Sequence, residues 1–478
     1  MNNDITKLLG IKDADIRVLS IKETTTTRTI ALEKKIYIHY CPVCGCRMYS
    51  KGIYKRKTNH PIMQDGLQLI LEIHQRRWQC INLDCRHIET DEFSFVDKHR
   101  RNTNVSDLLI VDAFRNPCAS ASEIARRFKV SDTHAITTFA RYVDLPRRQL
   151  SEAICIDEVH LNISKHCKYA LVIQDFITGE PIDMVISRRE ETTLPYFAGI
   201  PMGERRNVKY VITDMYTPYL MYPEKYFPNA VSVVDAFHVI KYINNELLKY
   251  IRYVLRRIDQ ADHIQHEKRE EEFHRELPFH HGKNYYVLKK YNWLLLKNKD
   301  DIKYRTQPWM DKRLGRMMTT YDYMEWVMDL DNNFRELHKL KELYVAFNKR
   351  YAGKPKEAQS AFSEIVEVYS KSRFRMFREI AKTLHRFSEP ILNSFIMIDK
   401  IDKDGVIAPA RLSNGPMESL NRIPKDMKRI GRGYLNFDHM RNRFLFSQRK
   451  NATILAAPKT LDEVYLKNIK PGNIPKIV

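Results

Sequence analysis

The stretch "AICIDEVHL", residues 153–161, is where the hydrophobic periodicity of this chain changes. Ala153 to Ile156 form an apolar run ending on Asp157, the pattern of a buried β-strand meeting a carboxylate. Downstream, "KYALVIQDFITGEPIDMVISR" reads as two strands joined by a turn at Thr178–Gly179, and "EETTLPYFAGI" as a helix. "VKYVITDM" is a further buried run, ending at Asp214. "AVSVVDAFHVIKYINNELLKYIRYVLRRI" gives a short strand, then a long helix with Ile240, Ile243, Leu247, Ile251, Val254 and Ile258 inward. This order predicts an α/β unit with a mixed sheet. Open α/β sheets build sites at strand ends, which makes Asp157 and Asp214 candidates. Either aspartate alone reads equally well as a cap. Together they repel unless a cation lies between them, and two carboxylates are the minimum for Mg²⁺. Asp235 closes the last run within "DAFH", where a structural role with His238 is an equal reading.

The whole chain has 478 residues, with 80 Lys+Arg against 59 Asp+Glu and a formal net charge of +21. That excess suits a polyanionic partner, nucleic acid before an anionic membrane surface. No apolar run approaches the roughly 20 residues of a spanning helix. The start, "MNNDITKLLGIKDADIRVLS", lacks the pattern of a secretory signal. Eight cysteines in so long a chain do not make a disulfide framework, and the expectation is an intracellular protein.

Four cysteines come in two pairs, "CPVCG" (Cys41, Cys44) and "CINLDC" (Cys80, Cys85). Between them lie residues that read as short strands with turns. Two thiolate knuckles on a small sheet can hold tetrahedral zinc, with Cys46 and His87 as possible substitute ligands. Lys51, Lys55, Arg56, Lys57, Arg76 and Arg77 make the module basic, which suits phosphate contacts. Next, "SASEIARRFKVSDTHAITTFARYV", 120–143, predicts a helix, a turn at Lys129–Val130 and a second helix capped by Ser131. Ile124, Ala125 and Phe128 would face inward from the first, and Ile136, Phe139 and Ala140 from the second. That is the form of a helix-turn-helix, with Thr133, His134, Thr137 and Arg141 offered to a DNA groove and "NVSDLLIVDAFRN" as a supporting helix.

Residues 240–405 read as nearly all helix. They include the solvated charge run "HIQHEKREEEFHRE" and the amphipathic basic helix "EIVEVYSKSRFRMFREIAKTLHRF". The α/β pattern resumes near 406 and leads into "SNGPMESLNRIPKDMKR", 413–429. Ser413, Asn414 and Gly415 are cap and turn residues, and Pro416 suits a first helical position. Glu418 then falls in the first turn, with Asn421, Arg422 and Lys425 expected on its face. A capping glutamate would explain Glu418 locally.

A zinc module, a helix-turn-helix, "ICIDEVH", "VITDMY", "VVDAFHVIK" and "SNGPMESLNRIPKDMKRIGRGYLNFDHMRNRFLF" occur in that order. In this the chain resembles insertion-sequence transposases of the ISL-three family, DDE transposases with a ribonuclease H-like catalytic domain. The resemblance implies a multidomain α+β/α protein. Residues 1–100 would be the zinc-finger module and 101–150 the helix-turn-helix domain. Residues 151–240 would be the first part of the catalytic core, 241–405 an all-helical insertion, and 406–478 the completion of the core with a basic C-terminal tail. It further implies a catalytic triad of Asp157, Asp214 and Glu418 binding two Mg²⁺ (or Mn²⁺) ions, and one Zn²⁺ on Cys41, Cys44, Cys80 and Cys85. Asp235 and His238 match a D-x-x-H motif of several transposase groups.

The implied reaction is hydrolysis of a phosphodiester at the transposon end, then attack of the 3′-OH on target DNA. Arg422, Lys425, Lys428, Arg429 and Arg432 would hold DNA phosphates, and Arg441, Arg443 and Arg449 would extend that track. The expected partners are double-stranded DNA, both transposon ends and target, and further copies of the chain in a dimer or larger synaptic assembly. The expected setting is the bacterial cytoplasm, at the nucleoid. The rival readings are a non-catalytic DNA-binding regulator, a structure-specific nuclease of the same fold, and a polybasic membrane-surface protein.

Overall fold

The computed structural model describes residues 2–61, 66–163, 168–402 and 404–466. The C-terminal tail beyond 466, expected to be basic, lies outside the described residues. The chain divides into two compact units. One comprises Met1–Pro146, Leu161–Lys168 and Ile423–Val478, and the other Arg147–His160 and Tyr169–Arg422.

The first unit opens with a short helix and a five-stranded sheet. Its strands are β1 (Ile16–Glu23), β2 (Thr27–Lys34), β3 (Met48–His60), β4 (Gln68–Cys80) and β5 (Ile88–Thr90). The order is β1-β2-β4-β3, with β5 also on β4. β3 and β4 are 13 residues each and pair antiparallel from Met48↔Cys80 to His60↔Leu69. The short strands expected between the cysteine pairs are therefore one long hairpin. Alternation along β4 buries Leu69, Leu71 and Ile73 against Ile30 and Leu32 of β2.

Three helices follow in this unit, Asn104–Ala113, Ala121–Phe128 and Asp132–Tyr142. The last two are each capped by a serine, Ser120 to Glu123 N–H and Ser131 to His134 N–H. Lys129 ends the first of them in the left-handed region, at φ 54°. Ile124, Ala125 and Phe128 are buried as expected. On the second helix the inner face is Ala135, Thr138, Phe139 and Tyr142, while Ile136 is exposed. The expected face was turned by about one residue, because Thr138 takes a core position despite its hydroxyl. The unit also holds the helix Phe437–Gln448, packed through Phe446 on Phe139.

The second unit is built on β6 (Ala153–His160), β7 (Tyr169–Asp175), β8 (Pro181–Val185), β9 (Tyr210–Thr213) and β10 (Val231–Val234). Their order is β10-β9-β6-β7-β8. β7 is antiparallel to β6 and β8, while β9 and β10 run parallel to β6. The turn between β7 and β8 needs Gly179, at φ +72°. β6 continues past the apolar run to His160, so Asp157 lies within a strand rather than at its end.

After β10 comes the helix Ala236–Phe273, 38 residues long, burying Ile243, Leu247, Ile251 and Val254. It anchors a helical core that includes Leu337, Tyr344, Phe362 and Phe377. The region is not all helix. Two ribbons interrupt it, β11 (Trp309–Asp311) with β12 (Arg316–Met318), and β13 (Met397–Ile401) with β14 (Ile407–Arg411). The expected basic amphipathic helix is likewise two helices, Pro355–Ser370 and Arg375–Arg386. Ser372 breaks it by offering its side chain to Phe374 N–H.

His60, His338 and His439 are each held down to about 4 by desolvation. The unfolded chain takes up protons at these positions below about 6.5, which the folded chain refuses until about 4. Stability should therefore fall as pH drops through that window. The loss is on the order of 1–2 kcal/mol per site between pH 7 and pH 5. Urea unfolding at the two pH values measures it, and His439→Gln should shrink the difference.

Candidate functional site

Asp157 lies within β6, and Asp214 directly follows the neighbouring parallel strand β9. β6 pairs with β9 as Ala153↔Tyr210, Ile154↔Val211 and Cys155↔Ile212. Continued along the strands, this register sets Asp157 level with Asp214. The β9–β10 register, which ends at Val234↔Thr213, sets Asp235 level with them in turn. Parallel pairing thus lines up the aspartates of "ICID", "VITD" and "VVD" from the central strand β6 to the edge strand β10.

Their surroundings separate their roles. Burial, then the charge of Asp214, pushes the Asp157 carboxyl up to about 6. Its oxygens accept from Glu158 N–H at 2.7 Å and from Asn421 Nδ2 at 2.7 Å. Asp214 Oδ1 meets His238 Nε2 at 2.5 Å and accepts from Asn414 Nδ2 at 3.3 Å. Burial opposes a charge on His238, but the hydrogen bond and charge of Asp214 outweigh it and raise its pKa. Asp235 is 4% exposed, caps the long helix through Phe237 N–H and accepts from Asn414 N–H at 2.8 Å. Both of its oxygens serve the fold. Beside Asp157, Glu158 pairs with Arg188 and accepts from Tyr219 Oη at 2.6 Å.

Glu418 sits in the first turn of the helix Gly415–Ile430. It faces solvent with a side chain 60% exposed, 3.4 Å from Arg422. The inner face of this helix is Met417, Leu420 and Asn421. Asn421 thus turns inward, away from the face of Glu418, Arg422 and Lys425 on which it was expected. Among the described residues, one group of three or more ligand-type side chains (His, Cys, Asp or Glu) has all its ligand atoms within 4.8 Å, and it is a cysteine cluster. Asp157, Asp214 and Glu418 do not form such a group. The donor set at the two aspartates is nonetheless all oxygen apart from His238, which fits a hard divalent cation.

The cysteine cluster is Cys41, Cys44, Cys80 and Cys85. The first knuckle closes through Gly45 N–H to Cys41 C=O, with Gly45 at φ +72°. The second closes through Cys85 and Arg86 N–H to Asn82 C=O. Cys41 and Cys85 sulfurs are 3.7 Å apart, and those of Cys44 and Cys80 3.4 Å. Tetrahedral zinc with Zn–S of about 2.3 Å sets sulfurs about 3.8 Å apart, so the site fits that ion. The Cys46 N–H draws the Cys44 thiol down to about 6, favouring the thiolate a metal needs. Cys46 and His87 stand outside the four-sulfur group.

Of the residues expected at a DNA groove, Thr133 is exposed and Thr137 half-buried. His134 meets Asn102 at 3.1 Å, and Arg141 donates to Lys459 C=O. Both line a cleft of about 750 Å³ with His99, Arg100, Arg101 and Lys129. On the cationic helix Lys425 and Arg429 are exposed, as is Arg432 just past its end, while Lys428 donates to Leu161 C=O.

Other expected phosphate contacts are structural. Arg443 is 2% exposed and binds Tyr434 Oη and Ala119 C=O. Arg449 donates to Pro146 C=O and Arg441 to Leu145 C=O. Arg76 is buried beside Glu33, and Arg56 donates to the carbonyls of Asp97 and Arg100. In the sequence Asn414 reads only as a cap, because asparagine is a default residue there and no local pattern distinguishes one that faces a carboxylate.

A family model described as "Transposase", the ISL3 group of DDE transposases, matches residues 154–444. The chain belongs to that transposase family. It is also 24% identical over 283 residues to the transposase for insertion sequence element IS1001 of Bordetella parapertussis, covering 58% of this chain. The match spans 63% of that relative's length. Among the described residues, no helix is long and apolar enough to cross a membrane.

Proposed function

We propose that this protein is a DNA transposase that cuts the ends of an insertion sequence and joins the 3′-OH ends to target DNA. The observation that carries the reading is the register of neighbouring parallel strands, which brings Asp157 within β6 level with Asp214 just past the end of β9, inside the segment that matches the transposase family. A sheet with its first strand central, its second antiparallel and its last two parallel supports a ribonuclease H-like core. Asp157, Asp214 and Glu418 would hold divalent cations, Mg²⁺ or Mn²⁺. When bound, these supply Lewis-acid activation of the attacking and leaving oxygens in an in-line phosphoryl displacement.

The chain's own residues do the rest. Asn421 and Asn414 orient the two aspartates, and His238 balances the charge of Asp214. Lys425, Arg429 and Arg432 would meet backbone phosphates. The Ala121–Phe128 and Asp132–Tyr142 helices would read the terminal repeats as a helix-turn-helix, with Thr133 and Thr137 towards bases. The basic cleft beside them would take the flanking backbone. Two ends meet one target, so a dimer or larger assembly is the working form.

A strand-transfer assay with pre-cleaved ends tests this. Joining to a plasmid target in Mg²⁺ is the expected result. Binding without joining would favour a regulator, and cutting of branched DNA alone would favour a structure-specific nuclease.

A further inference from the structure

Asn414 and Asn421 are 3% and 4% exposed. Asn414 immediately precedes the helix Gly415–Ile430 and Asn421 lies in its second turn, and each side chain reaches one of the two aspartates. Asn421 Nδ2 donates to Asp157 Oδ2 at 2.7 Å, and Asn414 Nδ2 donates to Asp214 Oδ1 at 3.3 Å. A carboxylate only accepts, so each amide must turn its NH₂ towards the aspartate, which fixes where its oxygen points. Both of those oxygens, Asn414 Oδ1 and Asn421 Oδ1, are buried with no hydrogen-bond partner.

Buried acceptors are nearly always satisfied, and an orphan calls for a specific reason. Asn414 makes the point sharper. An asparagine at a helix start ordinarily gives its side-chain oxygen to a helix N–H. Here the backbone carbonyl of Asn414 accepts from Met417 and Glu418 N–H, and the side chain turns to Asp214 instead. Two unpaired amide oxygens beside two carboxylates make a hard, all-oxygen donor set, the kind that takes a divalent cation.

We propose that Asn414 and Asn421 are ligands of the divalent-cation site, their amide oxygens binding the ions directly or through one bound water beside Asp214 and Asp157. This rests on the cation-site reading above and adds two neutral oxygens to it. The same two amides keep the helix in place while Glu418 faces solvent.

The test is Mn²⁺ binding to the full chain without DNA, with zinc retained, read by the free-Mn²⁺ paramagnetic resonance signal. Thermal unfolding with zinc retained and no added Mn²⁺ checks each variant's fold. Asp157→Ala should abolish tight binding. If the unchanged chain binds no Mn²⁺, or Asp157→Ala binds as it does, the cation-site reading itself fails. With that control in place, Asn421→Leu should weaken Mn²⁺ at least about tenfold. Asn421→Asp should match or exceed the unchanged chain, because it keeps an oxygen and adds charge.

A latch that only donates its NH₂ to Asp157 predicts that Asn421→Asp weakens binding as much as Asn421→Leu. That result would overturn the proposal, as would Asn421→Leu binding within twofold of the unchanged chain. If Asn421→Leu unfolds without added Mn²⁺, Asn414→Ala and Asn414→Asp give the same comparison at Asp214.

Discussion

Asp157→Asn is expected to lower Mg²⁺-dependent cleavage of end-sequence DNA by at least about 10³-fold, some 4 kcal/mol of barrier, while the protein folds no less stably. The two halves of this prediction have one cause. Burial and the neighbouring Asp214 make a charge on Asp157 costly, as its rise to about 6 records. Asparagine removes that charge at constant shape; its oxygen can still accept from Glu158 N–H, and its NH₂ can donate to Asn421 Oδ1 once that amide turns over. A carboxylate held for packing would therefore be improved by the change. One held for a cation loses its purpose. Nicking of labelled end DNA, with thermal unfolding without added Mg²⁺ beside it, separates the two. Cleavage near the unchanged rate would remove Asp157 from the active site.

Cys80→Ser should take bound zinc from one ion per chain to near none and loosen the β3–β4 hairpin. Cys80 is 3% exposed and packs with Met48 and Trp78, so it ties the metal site to the sheet. The cluster has few other apolar side chains. In small zinc peptides the metal supplies about 10–16 kcal/mol of apparent folding free energy, an upper bound here because the sheet has its own core. Hydrogen exchange should rise in β3 and β4 and stay unchanged in the helical core around Ile251 and Leu337. Cys46→Ser is the control, and it should keep the zinc. Equal zinc loss in both variants would show that the ligand set is wrong.

The strands of the second unit were legible because each is a short apolar run bounded by turn chemistry, as at Gly179. Both registers that align the aspartates depend on parallel pairing between segments some 20 to 60 residues apart, which no local pattern encodes. The cysteine pairs were legible for the opposite reason, since each knuckle is local. The arginines misled. Arg441, Arg443 and Arg449 look like a cationic track in sequence, yet each donates to a backbone carbonyl inside its unit. A guanidinium satisfying carbonyls and one awaiting phosphate have the same one-letter code. The ribbon β11–β12 escaped because strands of three residues carry no period.

Glu418 is where the account is most exposed to test. Its side chain meets Arg422 in solvent rather than the aspartates, so its place among the cation ligands is the central claim. Glu418→Gln keeps the length and hydrogen-bonding capacity of the side chain and removes only its charge. Mg²⁺-dependent cleavage of end DNA by this variant is the most direct measurement. The expected result is a loss of at least about 10³-fold with the fold unchanged. Cleavage within tenfold of the unchanged chain would contradict it, and would leave Glu418 as a surface partner of Arg422.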